Sequence, residues 1–356
     1  MWNPKLIGGA VVGLAALGAH EGRAITPENH FVHTNLIASP SGPPASFEDK
    51  NLVNSWGLIT LDDGDFWTTN NWTSTATRYQ SDGSPRLEGT EPVVVAVPGG
   101  PTGLVLNTTP GFLIQSQARV APSSLIFVTE RGMILGYNPA VEPTRSLVAV
   151  DFSGFHSVFK GAALFPGPLG SRLYAADFAN GVVQTFDESF ELVGDFENDP
   201  DQLSGFAPFN VATIDNSIFV AFARQEPGAT DDVAGVDLGL GFIDQFDADG
   251  KLLRRFATGG ELNAPWAMVR APFDFGPFVG ALLVGNSGDG NINAFDFVTG
   301  ELLGKVKHRA SVDPVIIDGL RGLDFGKTRA LRQSLFFAAG PGGEQGLVGT
   351  VRPFGG

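Results

Sequence analysis

Lys160, Arg321, Asn54 and Asp232 are the side chains of this sequence best suited to hold a polar ligand. Lys160 and Arg321 stand at places where equivalent positions carry Trp or Phe, and a cation there can take a carboxylate or phosphate. A second set, Glu130, Asp177, Asn210, Asn286 and Asp318, offers oxygen donors. A hard cation such as Ca²⁺ needs six or more such oxygens at about 2.3–2.6 Å. Plainer readings stand beside both. Asn and Asp are what any tight loop uses for local hydrogen bonds. Lys160 and Arg321 can each pair with an acid of a neighbouring repeat, for instance Asp318 or Asp177. No His-Glu-x-x-His, Gly-x-Ser-x-Gly or phosphate-cradling glycine loop occurs. The absence of cysteine excludes disulfides, thiolate nucleophiles and Cys-ligated zinc.

These residues are positioned by a repeated phrase. Residues 282–285 are a short apolar run, 286–290 a polar glycine-rich loop, 292–295 an alternating strand and 296–300 a turn. Equivalent phrases begin near Trp56, Thr102, Lys160, Phe209, Trp266 and Arg321, at spacings of 46, 58, 49, 57 and 55 residues. Periods near this length with about four short strands each predict a β-propeller. The last repeat runs out of chain before an outer strand, and the isolated strand at 31–37 can supply it. The expectation is therefore an all-β, six-bladed β-propeller closed by an N-terminal strand. A seventh, degenerate blade in 85–97 or 141–150 is the alternative, although both stretches more simply supply outer strands. The 47 Gly, 24 Pro and 29 Phe fit a turn-rich β protein.

In a propeller the entries to the innermost strands and the loops joining second to third strands lie on one face. They ring the mouth of the central channel, which is the expected binding site. Lactonases and related esterases on six-bladed propellers hold an axial metal, and by analogy of fold Glu130, Asp177, Asn210, Asn286 and Asp318 would converge here. Trp56, Phe209 and Trp266 occupy equivalent positions and are expected to pack between blades. The fourth repeat carries a long connection at 224–240, where Asp231 and Asp232 offer a further cation or binding loop.

The net charge of −15 disfavours nucleic acid and anionic membranes as partners. Lys5 followed by the apolar run 6–18 and the small-x-small site Gly22-Arg-Ala24 reads as a secretory signal. The expected organisation is a signal peptide at 1–24, the closing strand and linker at 25–50, and the propeller at 51–356. A secreted or periplasmic monomer follows, free of the membrane after cleavage. It would bind a small molecule, saccharide or protein, the alternative being a Ca²⁺-dependent hydrolase or lyase.

The phrases Asn51-Leu-Val-Asn-Ser-Trp-Gly57, Leu173-Tyr-Ala-Ala-Asp-Phe-Ala-Asn-Gly181, Phe206-Ala-Pro-Phe-Asn-Val211, Asp231-Asp-Val-Ala-Gly235, Gly280-Ala-Leu-Leu-Val-Gly-Asn286 and Ile317-Asp-Gly-Leu-Arg-Gly322 carry a resemblance. Over roughly 30–350 the chain resembles a family of exported bacterial NHL-like propellers without an agreed activity. Some members end in an exosortase-sorting tail, which the ending Arg352-Pro-Phe-Gly-Gly356 does not match. The resemblance implies a propeller fold and export.

Overall fold

A computed structural model of the protein describes residues 29–355, apart from 168–169, 198–203, 227–236, 310 and 312. The expected signal peptide and Asp232 lie outside the described residues. Six blades follow one another around a ring, five of them four-stranded antiparallel sheets and the last a five-stranded sheet that gains a short parallel strand, Phe47–Glu48, at its edge. The inner strands are Ser55–Thr60, Pro101–Leu106, Phe159–Phe165, Phe206–Ile214, Pro265–Arg270 and Leu320–Phe325. The stretches weighed as a hidden seventh blade hold the outer strands Val94–Ala96 and Leu147–Asp151.

The ring is fastened by its two ends. Phe31–Ala38 pairs antiparallel with Leu347–Pro353, in a register running from Phe31 opposite Pro353 to Ala38 opposite Leu347. This gives the last blade its outer strand and leaves no open seam between the chain ends. Gly349 is required there, since a Cβ would overlap the Thr34 carbonyl and the Phe337 ring.

The blades cohere through aromatic rings pressed between neighbouring sheets. Phe219, Phe256 and Phe295 join blades four and five, and Phe66, Tyr79 and Phe336 join blades one and six. Each fully buried Phe is worth roughly 1.5–3 kcal/mol in transfer free energy. The many aromatic residues and short strands of the sequence are thus one feature. Thin sheets present flat faces, and flat rings fill the wedge between them.

Every inner strand breaks register with its neighbour near its mouth-side end. The pairing slips by one residue between Ser55 and Leu58, Pro101 and Leu104, Phe159 and Gly161, Pro208 and Asn210, Pro265 and Ala267, and Leu320 and Leu323. A bulge of this kind kinks the strand and re-aims a side chain. The residues inside the slips include Trp56, Thr102, Lys160, Phe209, Trp266 and Arg321. Glycine follows where inner strands approach most closely. A Cβ on Gly57 would sit 2.6 Å from the Thr102 carbonyl oxygen, and one on Gly322 would sit 2.6 Å from that of Trp56.

Candidate functional site

The bulges converge near the axis. Trp56 meets Phe209 at 6.0 Å and Trp266 at 5.9 Å between ring centroids, both edge to face. All three are buried. Two hydrogen bonds tie this cluster across blades: Trp266 Nε1 donates to the Lys160 carbonyl at 3.0 Å, and Asn210 Nδ2 donates to the Trp266 carbonyl at 2.8 Å. The aromatic cluster separates two hollows. Below it lies a funnel of about 270 Å³ along the inner strands. Above it lies a mouth cavity of about 610 Å³, to which all six blades contribute.

Lys160, Arg321, Asn54 and Glu130 all line this mouth cavity. Lys160 has a side chain only 5% exposed, and its ammonium forms an ion pair with Glu130 Oε1. The carboxylate's other oxygen accepts from Asn71 Nδ2 at 2.9 Å, and Asn71 Oδ1 accepts from Asn54 Nδ2 at 3.3 Å. The partner of Lys160 is therefore Glu130 of blade two, where the sequence suggested Asp318 or Asp177. Lys160 and Glu130 sit at the same height on adjacent blades, one on an inner strand and one on a second-to-third loop.

Arg321 has no such partner. Its guanidinium donates to Ser287 Oγ and, at 3.3 Å, to its own blade's Leu320 carbonyl. No carboxylate of a described residue forms an ion pair with it. Its carbon lies 4.4 Å from the Trp56 ring centroid, and the Lys160 ammonium lies 5.3 Å from the same ring. Arg321 Nε and Trp56 Nε1 are both buried N–H donors without an acceptor among the described residues. Burial pulls the Arg321 guanidinium down to about 10, against the opposing effect of Glu130 and Asp318, so it remains charged at neutral pH.

The cavity wall is also strained. Asn54 and Ala264, both lining residues, hold φ of 50° and 46°, a left-handed conformation uncommon outside glycine. Such outliers gather where surrounding structure holds them for a purpose.

Of the oxygen donors expected to meet on the axis, only Glu130 reaches the mouth cavity. Asp177 is buried in its own loop, accepting from Val158 N at 3.1 Å and Asn180 Nδ2 at 2.8 Å. Asn210 lies on the funnel side of the aromatic cluster. Asn286 donates to the Glu261 carbonyl at 2.8 Å, stapling a turn. Asp318 is exposed and accepts from Gly342 N at 3.0 Å. Among the described residues no three His, Asp or Glu side chains cluster as a metal centre would need. Asn71, Trp72, Glu226 and Ser287, not among the candidates named from the sequence, also line the mouth. Trp72 and Glu226 lie on second-to-third loops, and that placement was the available signal.

No family model matches the sequence. An uncharacterised protein of Acanthamoeba polyphaga mimivirus is 33% identical over 327 residues, covering 89% of this chain and 79% of the viral protein. The chain belongs to the family of this mimivirus protein. The family had been expected to be bacterial, so this viral relative corrects that expectation. Among solved structures, a streptogramin B lyase matches with a TM-score of 0.52 at 11% identity, over 91% of this chain and 97% of the lyase. A luciferin-regenerating enzyme matches with a TM-score of 0.52 at 13% identity, over 86% of this chain and 93% of the enzyme. At these identities the likeness shows the fold alone, a six-bladed β-propeller.

Proposed function

We propose that the protein is a binding propeller whose channel mouth holds a small molecule through a carboxylate or phosphate. The observation that carries this reading is the pair of orphan donors, Arg321 Nε and Trp56 Nε1, in one cavity wall. A buried donor without an acceptor costs about 1–3 kcal/mol. An anionic oxygen placed between the Arg321 fork and the Trp56 edge would relieve two such costs. Lys160 is already neutralised by Glu130, so Arg321 is the cation left to meet an anionic group, with Glu226 the other carboxylate that lines the mouth. Trp72, 58% exposed at the rim, offers an aromatic face for the rest of the ligand. The dispersed placement of Asp177, Asn210, Asn286 and Asp318 favours binding over the calcium-dependent hydrolase or lyase alternative. Export of the protein, resting on residues 1–24, belongs to the same proposal.

The test is a thermal-shift and calorimetric titration of the purified protein with acetate, succinate, benzoate and inorganic phosphate. Saturable stabilisation by at least one of them, abolished in Arg321→Met and retained in a variant of the far face such as Leu113→Gln, is expected. No response to any of the four, or an equal response in Arg321→Met, overturns the reading.

A further inference from the structure

On the face opposite the mouth, blades one and two enclose a separate cavity of about 390 Å³. Its floor is apolar. Trp67, Leu125 and Tyr137 are buried, and the two rings meet edge to face with centroids 6.0 Å apart. At its rim Leu87 and Leu106 are 53% and 38% exposed, although both line the hollow. The Tyr137 hydroxyl is turned away and donates to the Pro143 carbonyl at 3.1 Å.

One end is polar and built. Asp65, only 2% exposed, accepts from Arg78 Nε at 2.8 Å and Arg86 Nε at 2.5 Å. Arg86 Nη2 also reaches Asp65, and Arg78 Nη2 donates to Asp63 at 2.5 Å. Both guanidiniums are thus fixed in place, and Nη1 of each makes no hydrogen bond to a described residue. The surrounding charges decide what these donors can take. Two arginines face Asp63, Asp65 and Glu88, a balance of 2 − 3 = −1. An anion is therefore disfavoured, while a neutral acceptor is not.

We propose that this cavity binds an uncharged, planar, largely apolar molecule, packed against the Trp67 and Tyr137 rings, face-on to one and edge-on to the other, with a carbonyl-type oxygen directed at Arg78 and Arg86. The volume lies within the range of about 300–1,000 Å³ usual for small-molecule sites. The ring-lined floor supplies affinity through apolar burial, and the fixed guanidiniums supply orientation. This site differs from the mouth in face, charge and ligand class, and does not depend on the mouth reading.

Nile red, a neutral planar dye with one carbonyl, is a suitable probe. Titration of the protein should give saturable one-to-one binding with a blue-shifted emission. Leu87→Glu and Leu106→Glu, both at exposed positions, should each weaken binding about tenfold by bringing charge to the apolar rim. Arg321→Met should leave it unchanged. Trp67→Phe, with melting temperature as the check on folding, should remove most of the tryptophan-to-dye energy transfer. Absence of saturable binding, or rim variants binding within about twofold of the parent, overturns the proposal.

Discussion

The Arg321 guanidinium lies 4.4 Å from the centroid of the Trp56 ring, with the two residues carried on equivalent bulges of adjacent blades. Neither Arg321 Nε nor Trp56 Nε1 has an acceptor among the described residues. A cation desolvated this way weakens the empty fold. Its folded-state pKa is depressed, so the unfolded chain holds the proton more readily and the cost persists at every pH below about 10. Arg321→Met should therefore raise stability by on the order of 1 kcal/mol while losing the response to carboxylates. Chemical denaturation with and without succinate checks both halves.

Lys160 and Glu130 behave oppositely. The lysine is nearly closed off from water, and Glu130 is its counter-charge. Glu130→Gln should destabilise the protein by about 1–3 kcal/mol, because the ammonium loses a charged acceptor. Lys160→Met combined with Glu130→Gln should recover part of that loss. A double-mutant cycle in urea measures the coupling, which should exceed about 0.5 kcal/mol.

The strand-level fold was legible because a repeat with a lone N-terminal strand has few other ways to bury its edges. The six starting residues were also visible from the sequence, as positions where Trp, Thr, Lys, Phe, Trp and Arg alternate. The strand slips that aim them inward were not, since a bulge leaves no mark in hydrophobic alternation. Nor was the hairpin pairing Leu113–Ser116 with Arg119–Pro122, whose exposed alternation is faint. Asp177 and Asn286 looked like ligands because loop staples and ligands share a chemistry. Only the position of their partners, Asn180 and the Glu261 carbonyl, separates the two roles.

Ring closure should respond to pH. His33 on the closing strand lies 6.2 Å from His308 between ring centroids and packs edge-on to Phe337. Burial, and then repulsion from His308, lower its pKa below the ordinary 6.5, against an opposing hydrogen bond with Asn35. The folded state thus takes up this proton less readily than the unfolded one. Its contribution is intact above about pH 6.5 and is lost as pH falls from there through the lowered folded value. Melting temperature should drop more steeply below pH 6.5 in the parent than in His33→Gln.

Gly349 offers a more local probe of the same seam. Gly349→Ala should cost about 1–3 kcal/mol by overpacking against Thr34 and Phe337. Hydrogen exchange should accelerate first in Phe31–Ala38 and Leu347–Pro353, ahead of the other blades. Uniform acceleration around the ring would show that closure is not a separable unit.

The six slipped registers have an implication for how such a molecule changes. Each blade hands one side chain to the axis from a position that the ladder itself skips, so that side chain is less tied to strand pairing than its neighbours. The axis is in effect a six-character word, here Trp, Thr, Lys, Phe, Trp and Arg, of which Trp56, Lys160, Phe209 and Arg321 face the mouth, written on a frame whose closure lies elsewhere, where Phe31–Ala38 meets Leu347–Pro353. Arg321, which pairs with no carboxylate of a described residue, is the letter that a single substitution can change, altering what the ring recognises while the blades stay as they are.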